Sequence, residues 1–591
     1  MRVLLVHPED SPTAGEWSAS RFDLVVDLGW AGTTQYAVWT EEVGCPVYGL
    51  YSRSEWHEGV RRLRELCAAG SGCLVDEEGI DWWELLAPDC FQGVYEFLLL
   101  LRISSEIQSP VEVRVTRQHG LADTLGKLLG VKVVPFIKRA GPFSARVHRY
   151  TKAFRKLSRA QIIAIALDKW DTDYRFRRLL HGRRRSSPEP KILLPSAYRN
   201  VSRVLAAYAR LLPERRFLMV TTRADGRIAN LPGNVDAAPL AAYVPVPQKQ
   251  ATEREIDALI GRWGALRTRL QQPTNRDPVT SYSVDLFPDF ERSLRMGLRI
   301  RDAWREVLEK EQIVSVLCGD EHNPYTRLPV LLARGRGLRT VHCTHGALDV
   351  NLLLCGVCSD FYLAKGEMEK DYMVDQCGVP EDRIVLGAPL AEHSLSSAPS
   401  LPWRESRATG GQIVFFSEPY ELNSGRTESL YREVLPGLCA IARQYGRKVV
   451  LKLHPFEEAS DRSRLIDGIL TGDDRQLVEI STAPISEKLL RGIWFALTVE
   501  SSVAVECALA GIPCFLCGWF DLDTQCYGRQ YEKFGAARIL TSPSAIPHIP
   551  EMVDPFGCAD YRSLWQPIAP VKLDEMLQSA EVVTVPSASN P

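Results

Sequence analysis

The chain has 591 residues, too many for one hydrophobic core; at about 150 residues per domain it holds roughly three to four units. Its 45% hydrophobic and 24% charged residues suit a soluble globular or peripheral protein, and a net charge of −2 gives no global drive toward nucleic acid.

Met1–Val6 run straight into His7–Pro8, too short for the apolar stretch of a secretory signal. Phe97–Leu101, the longest apolar run near the front, falls far below the roughly 18 residues of a membrane span. Short β-type runs then alternate with longer helical stretches, which predicts α/β layers with mostly parallel sheets. The early predicted strands are Val3–Val6, Leu24–Leu28, Val111–Val115 and Val131–Val134. Next come Lys191–Leu194, Phe217–Thr221, Val314–Cys318, Thr340–Cys343 and Phe361–Ala364. A second series follows at Ile413–Ser417, Val449–Leu453, Phe495–Val499 and Cys514–Cys517.

The predicted architecture is two doubly wound, Rossmann-like domains separated by a cleft. We expect an N-terminal Rossmann-like part at 1–137, a basic helical insertion at 138–190 and the rest of the first domain at 191–393. A linker at 394–409, rich in Ser, Ala and Pro from Ser394 to Pro402, leads to a second domain at 410–570 and a tail at 571–591. Within 138–185 many Lys and Arg face only Asp168, Asp171 and Asp173, with Phe143, Tyr150, Phe154, Leu157, Ile162 and Ile163 interspersed. Such a basic, amphipathic stretch suits an anionic membrane surface; the plainer alternative is a solvated helical insertion.

Fifteen cysteines, an odd number scattered through apolar segments, suit reduced thiols in a cytoplasm better than a disulfide framework. The pairs Cys355/Cys358 and Cys514/Cys517 lie too far apart for a compact zinc module and read as small buried hydrophobes. His342, Cys343, His345 and Cys355 can be drawn as a zinc set, but His-x-x-His on a strand-to-loop segment does not put both rings on one face, and no metal is expected.

The chemistry-bearing residues gather at predicted strand ends, where ligands of such sheets bind. Strand 313–319 runs into Asp320, Glu321 and His322, a set suited to abstracting a proton, with Asp320 or Glu321 preferred as base and His322 third. Arg327 can neutralise an acid or hold an anion, and the next strand delivers His342 and His345–Gly346 to the same edge. In the second domain LKLHP (451–455) presents Lys452 and His454. TVESSVAVECALAGIP (498–513) reads as strand, turn and helix, with Ser501 and Ser502 at a helix start whose free N–H groups attract phosphate. Glu506, one turn on, can accept from ribose hydroxyls, and Glu418 or Tyr420 in FFSEPY (415–420) can meet a base or ribose. Two further stretches, LVHPEDSP (5–12) and DLGWAG (27–32), stay open between ligand contact and plain turns.

TVHCTHG (340–346), SDFYLAKGEMEKDYMVDQCGVPEDRIVLGAP (359–389), FFSEPY, KLHP and ESS together resemble bacterial surface-polysaccharide glycosyltransferases of the GT-B fold. Among these are capsule sialyl- and Kdo-transferases and CDP-glycerol polymerases. The resemblance covers about 310–530. It implies that His454, Ser501 and Ser502 bind the phosphate of a cytidine nucleotide donor without cofactor or metal. The implied acceptor is a glycan or lipid-linked molecule, and the implied place is the cytoplasm or the inner membrane face. Two alternatives remain: an isomerase resembling UDP-N-acetylglucosamine 2-epimerases, and a non-catalytic GT-B scaffold that binds a glycan or a partner transferase.

Overall fold

The structure, a computed structural model, describes residues 1–13, 17, 20–51, 53–110, 112–137, 188–223, 226–245, 250–271, 290–348, 350–389, 410–520, 526–553 and 561–578. The basic stretch 138–185 and the linker 394–409 lie outside them.

The named strands form three parallel sheets. The first holds β1 (Arg2–Val6), β2 (Leu24–Asp27), β3 (Val47–Gly49), β4 (Glu112–Arg117) and β5 (Val133–Ile137), in the order β3-β2-β1-β4-β5. The second holds β6 (Lys191–Ser196), β7 (Phe217–Thr221), β8 (Val235–Pro239), β9 (Ile313–Cys318), β10 (Arg339–Cys343), β11 (Phe361–Ala364) and β12 (Ile384–Leu386), in the order β12-β11-β10-β9-β6-β7-β8. The third holds β13 (Gln412–Phe416), β14 (Val449–Lys452), β15 (Val478–Ser481), β16 (Ile493–Thr498), β17 (Cys514–Cys517) and β18 (Arg538–Leu540), in the order β15-β14-β13-β16-β17-β18. Counted from its own first strand, each sheet runs third, second, first, fourth, fifth. Strand order therefore reverses between the first and fourth strands, and the loops there diverge to leave a crevice. The doubly wound α/β expectation holds, in three sheets.

Central strands are apolar on both sides because helices cover both faces. β6, β7 and β16 are buried along their whole length. The helix Thr427–Tyr445 shows how coverage works: Leu430, Val434, Leu438 and Ile441 recur at helical spacing on its buried face, and Gly446 ends it with φ 62°. Among the described residues no helix is long and apolar enough to cross a membrane.

The chain divides into two compact units. The first comprises Met1–Val60, Gly93–Arg149 and Ala391–Leu564 and so holds the first and third sheets; the second comprises Arg61–Gln92, Tyr150–Leu390 and Trp565–Pro591 around the second sheet. This grouping differs from the expected one, in which 1–137 joined 191–393. The DLGWAG stretch supplies the reason. Asp27 is ion-paired with Arg426, Trp30 N–H donates to Ser424 O at 3.1 Å, and Arg426 N–H donates back to Trp30 O at 3.0 Å. Gly29 is required at this seam, since a Cβ there would stand 2.8 Å from Ser424 O.

In the second unit, Arg301 bonds Asp76 and Glu255 at 2.8 Å each, and Trp83 stacks on Trp263 with ring centroids 5.7 Å apart. The expected tail from 571 falls inside a helix, Pro570–Leu577, whose Leu573 is buried, and Trp565 Nε1–H donates to Pro389 O at 3.0 Å.

Candidate functional site

At the crevice of the third sheet, β13 and β16 are neighbours and their ends are tied together. Thr498 Oγ1 donates to Phe416 O at 3.1 Å and lies 3.3 Å from Glu418 Oε1. Burial pushes the Glu418 carboxyl up to about 7; the Thr498 hydroxyl and Glu500 N–H offset this only in part, and the charge of Glu457 adds to it. On the other side of β13, the end of β14 turns through Lys452, Leu453, His454 and Pro455. Glu457 closes that turn, accepting His454 N–H at 2.8 Å, the Ser417 hydroxyl at 2.8 Å and Arg462 Nε–H at 2.7 Å.

The His454 ring is half-buried, and its Nδ1 accepts Phe456 N–H at 3.3 Å. Burial first, and the Lys452 charge second, lower its pKa, so the ring is neutral near pH 7 and its proton resides on Nε2. His454 is thus a hydrogen-bond donor. Lys452 is 6% exposed rather than a solvated strand-end cation; its Nζ donates to Leu453 O at 2.6 Å and burial lowers its pKa. Ser501 and Ser502 follow β16, with Ser502 exposed just before the short helix Val503–Leu509 and making no side-chain cap. The structure therefore brings Lys452, His454, Glu418, Ser501 and Ser502 to the ends of three adjacent strands, β14, β13 and β16. Glu506 lies on that short helix, half-buried with Oε2 enclosed.

Tyr420 departs from expectation. It is buried in the core, edge-on to Trp30 at 5.9 Å, and its hydroxyl has no hydrogen-bond partner among the described residues. The ring packs in the core of the third sheet's layer.

The second sheet reverses between β6 and β9, and the loop after β9 carries the predicted acids. Glu321 is 2% exposed. Ser359 Oγ donates to its Oε1, Cys358 Sγ and Tyr362 OH donate to Oε2 at 3.0 and 3.2 Å, and His342 Nδ1 lies 3.4 Å from Oε1. Burial alone would raise this carboxyl, but the His342 charge and these donors pull it down to about 2. A sealed carboxylate whose oxygens are already taken by these donors offers no open face to an acceptor, which counts against the preference for Glu321. Asp320 is engaged in the turn itself, accepting His322 N–H at 2.9 Å and Asn323 Nδ2–H at 3.0 Å. Arg327, expected to neutralise an acid or hold an anion, is buried with Nη1 3.5 Å from Glu321 O.

Two imidazoles remain accessible at this edge. His322 is half-exposed, 3.5 Å from Cys355 Sγ, and its charge opposes the burial that raises Asp89. His345 Nδ1 stands 3.0 Å from Gly319 O. A carbonyl only accepts, so Nδ1 carries the proton and Nε2 presents a lone pair. Beside them lies a cluster the sequence reading missed: Arg223 donates to Tyr198 OH at 2.8 Å and its guanidinium sits over the rings of Tyr198 (5.1 Å) and Tyr325 (4.9 Å). Only the strand order, which places β6 beside β9, reveals it.

Of the cysteine pairs, Cys514 and Cys517 are buried within β17, Cys358 serves Glu321, and Cys355 sits beside His322. Among the described residues no three metal-ligating side chains converge. The first sheet repeats the histidine turn. Its His7–Pro8–Glu9–Asp10 matches His454–Pro455–Phe456–Glu457: His7 Nδ1 accepts Glu9 N–H at 3.1 Å, and Asp10 N–H closes on His7 O at 2.9 Å.

No family model and no curated protein matches the sequence. Solved structures do. The UDP-GlcNAc 2-epimerase of Methanocaldococcus jannaschii aligns at 13% identity and TM-score 0.41, over 66% of this chain and 99% of that one. The wall teichoic acid polymerase TagF aligns at 11% identity and TM-score 0.37, over 73% and 97%. The calicheamicin glycosyltransferase CalG4 aligns at 13% and 0.34, over 67% and 93%. At such scores the strand order of the chain itself, not these likenesses, defines its fold.

Proposed function

We propose that the protein is a glycosyltransferase of GT-B type that takes a sugar, or a glycerol-phosphate-like unit, from a nucleotide donor, with a cytidine nucleotide preferred. What supports this reading is the placement of His454 with its Nε2–H donor, Lys452, Ser501 and Ser502 at the ends of strands β14 and β16, on either side of β13. Breaking the donor's anomeric bond leaves negative charge on the departing phosphate, and donors fixed beside that charge lower the barrier. Glu418, shifted close to neutrality, can pass a proton to the same phosphate or accept from the ribose. For an acceptor hydroxyl the second sheet's own edge offers a lone pair at His345 Nε2, with His322 the second choice. A surface glycan or lipid-linked acceptor follows from the resemblance of 310–530 to polysaccharide transferases.

The test is a thermal-shift screen of the full chain against CMP, CDP, UDP, GDP and ADP, repeated with His454→Ala. CMP or CDP at a hundred times its Kd should stabilise by about 2.7 kcal/mol, and the variant should lose this. A response to UDP alone transfers the proposal to a UDP-sugar enzyme, transferase or epimerase. Silence toward all five overturns it in favour of a scaffold.

A further inference from the structure

The crevice of the first sheet has no part in the chemistry above. This sheet reverses between β1 and β4, which pair in parallel, and ligands of open α/β sheets bind outside the carboxyl ends of two such strands. A histidine stands at each of those ends. His7 follows Val6 directly, and His119 lies two residues past Arg117, just before the helix Gly120–Leu129. Their ring centroids are 5.4 Å apart, with the planes at 70°.

Both rings are held in the same tautomer. His7 Nδ1 accepts Glu9 N–H at 3.1 Å, and His119 Nδ1 accepts Leu121 N–H at 3.3 Å. Burial lowers the pKa of both, that of His119 to about 4 with the charge of His7 adding to the fall. Glu9 and Asp10 oppose the shift of His7 while Arg117 and Arg426 deepen it, and Asp123 opposes that of His119. Near pH 7 each ring is therefore neutral, with its one proton on Nε2. Among the described residues neither Nε2 has a hydrogen-bond partner. The same holds for the N–H of Gly120, an exposed residue whose added Cβ would meet nothing within 4 Å.

The support is rigid. His7 N–H donates to Thr116 Oγ1 at 3.0 Å and that hydroxyl donates to Asp10 at 2.7 Å, so the loop after β1 is bound to the end of β4. Arg117 reaches Glu9 at 3.2 Å and Asp10 at 2.7 Å, which answers the charge of both acids of this loop. Three fixed N–H donors at the positive end of a helix suit an anion. They do not suit a metal: each Nδ1 lone pair is already taken, and among the described residues no three ligating side chains converge. The third sheet's turn sets the single ring of His454 in this same tautomer; here there are two.

We propose that the crevice of the first sheet is a phosphate-binding site, held by His7 Nε2–H, His119 Nε2–H and Gly120 N–H and separate from the nucleotide crevice. A phosphoryl group brings three acceptor oxygens to the three donors, where a carboxylate brings two. The site stands whether or not the transferase reading does, because none of its residues belongs to the nucleotide crevice.

The experiment is NMR of the full chain carrying carbon-13 at histidine Cε1, with the two signals assigned from His7→Asn and His119→Asn. Asparagine keeps an acceptor for the local N–H and removes Nε2, so each turn is preserved while its donor is lost. Inorganic phosphate, glycerol 3-phosphate and acetate are titrated against sodium chloride at equal ionic strength, in the parent chain and in His454→Ala. Phosphate or its ester should move both signals and raise the pKa of His119, with or without His454. Affinity should fall about tenfold in either Asn variant, the loss of one hydrogen bond to a charged group. A response to the ester alone assigns a phosphate ester, and a response to both assigns the free anion as sufficient. The proposal is overturned if neither phosphate moves the signals, if acetate or chloride moves them as far, or if affinity survives both Asn substitutions.

Discussion

Glu418 and Glu321 each follow a central strand of a doubly wound sheet, Glu321 buried and Glu418 half-buried, yet their carboxyl groups move in opposite directions. Glu321 meets an imidazole and three donors and falls to about 2. Glu418 meets one hydroxyl, one N–H and the repulsion of Glu457, and rises to about 7. Desolvation acts on both, so what distinguishes them is the supply of protons and positive charge around the oxygens. The histidines divide in the same way. The Nε2 of His454 presents a proton and that of His345 a lone pair, because the first ring's Nδ1 faces an N–H and the second's faces a carbonyl. Identical side chains at the ends of sheet strands are thereby given opposite chemical roles.

The comparison breaks most severely at Glu321. Glu321→Ala leaves His342 and the donors of Cys358, Ser359 and Tyr362 buried without their carboxylate and should cost about 3–5 kcal/mol, read as a lower denaturant midpoint; a loss within experimental noise would deny the clamp. His345→Asn keeps a donor for Gly319 O and removes the lone pair. It should cut turnover on the order of 10²–10⁴-fold with little change in melting temperature, and an unchanged rate would move the base to His322.

Glu418 sharpens the contrast through pH. Its folded pKa lies above the ordinary 4.5, so its favourable contribution is full below 4.5 and is lost as pH rises through about 7. Glu418→Gln should therefore gain on the parent chain across that window, by up to about 3 kcal/mol. Paired thermal melts at pH 4.5 and above 7 give the answer, and parallel curves would refute the shift. Glu321, with its lowered pKa, behaves in reverse: its contribution is full above 4.5 and fades as pH falls through about 2. The smallest effect belongs to Tyr420→Phe. Removing a buried hydroxyl without a partner should leave stability within about 0.5 kcal/mol of the parent, and a larger loss would mean that the hydroxyl is bonded after all.

The sequence disclosed the middle of each sheet better than its margins. β1, β6, β13 and β16 are buried on both faces and read as continuous apolar runs. The strands that escaped notice, Val47–Gly49, Val235–Pro239, Ile384–Leu386, Val478–Ser481 and Arg538–Leu540, are all sheet edges, short and partly exposed, with no such run to show. Among the candidate site residues, the strand-end position of Lys452 and His454 was legible because a strand and its turn are local. Glu321 was misjudged because Cys358, Ser359 and Tyr362, which seal it, arrive from about forty positions away. Tyr198, Arg223 and Tyr325 became visible as a cluster only through the pairing of β6 with β7 and with β9.

The seam at Asp27 and Arg426 has a consequence for biosynthesis. Its two halves lie 399 positions apart in the chain. At about 5–20 residues per second, the ribosome needs roughly 20–80 s to deliver Arg426 after Asp27. During that interval the buried Asp27 has no guanidinium, and the faces of Trp30 and Trp39 that later pack on 420–433 are open to water. The first sheet is thus translated early, and its seam closes only after residue 426 has been added.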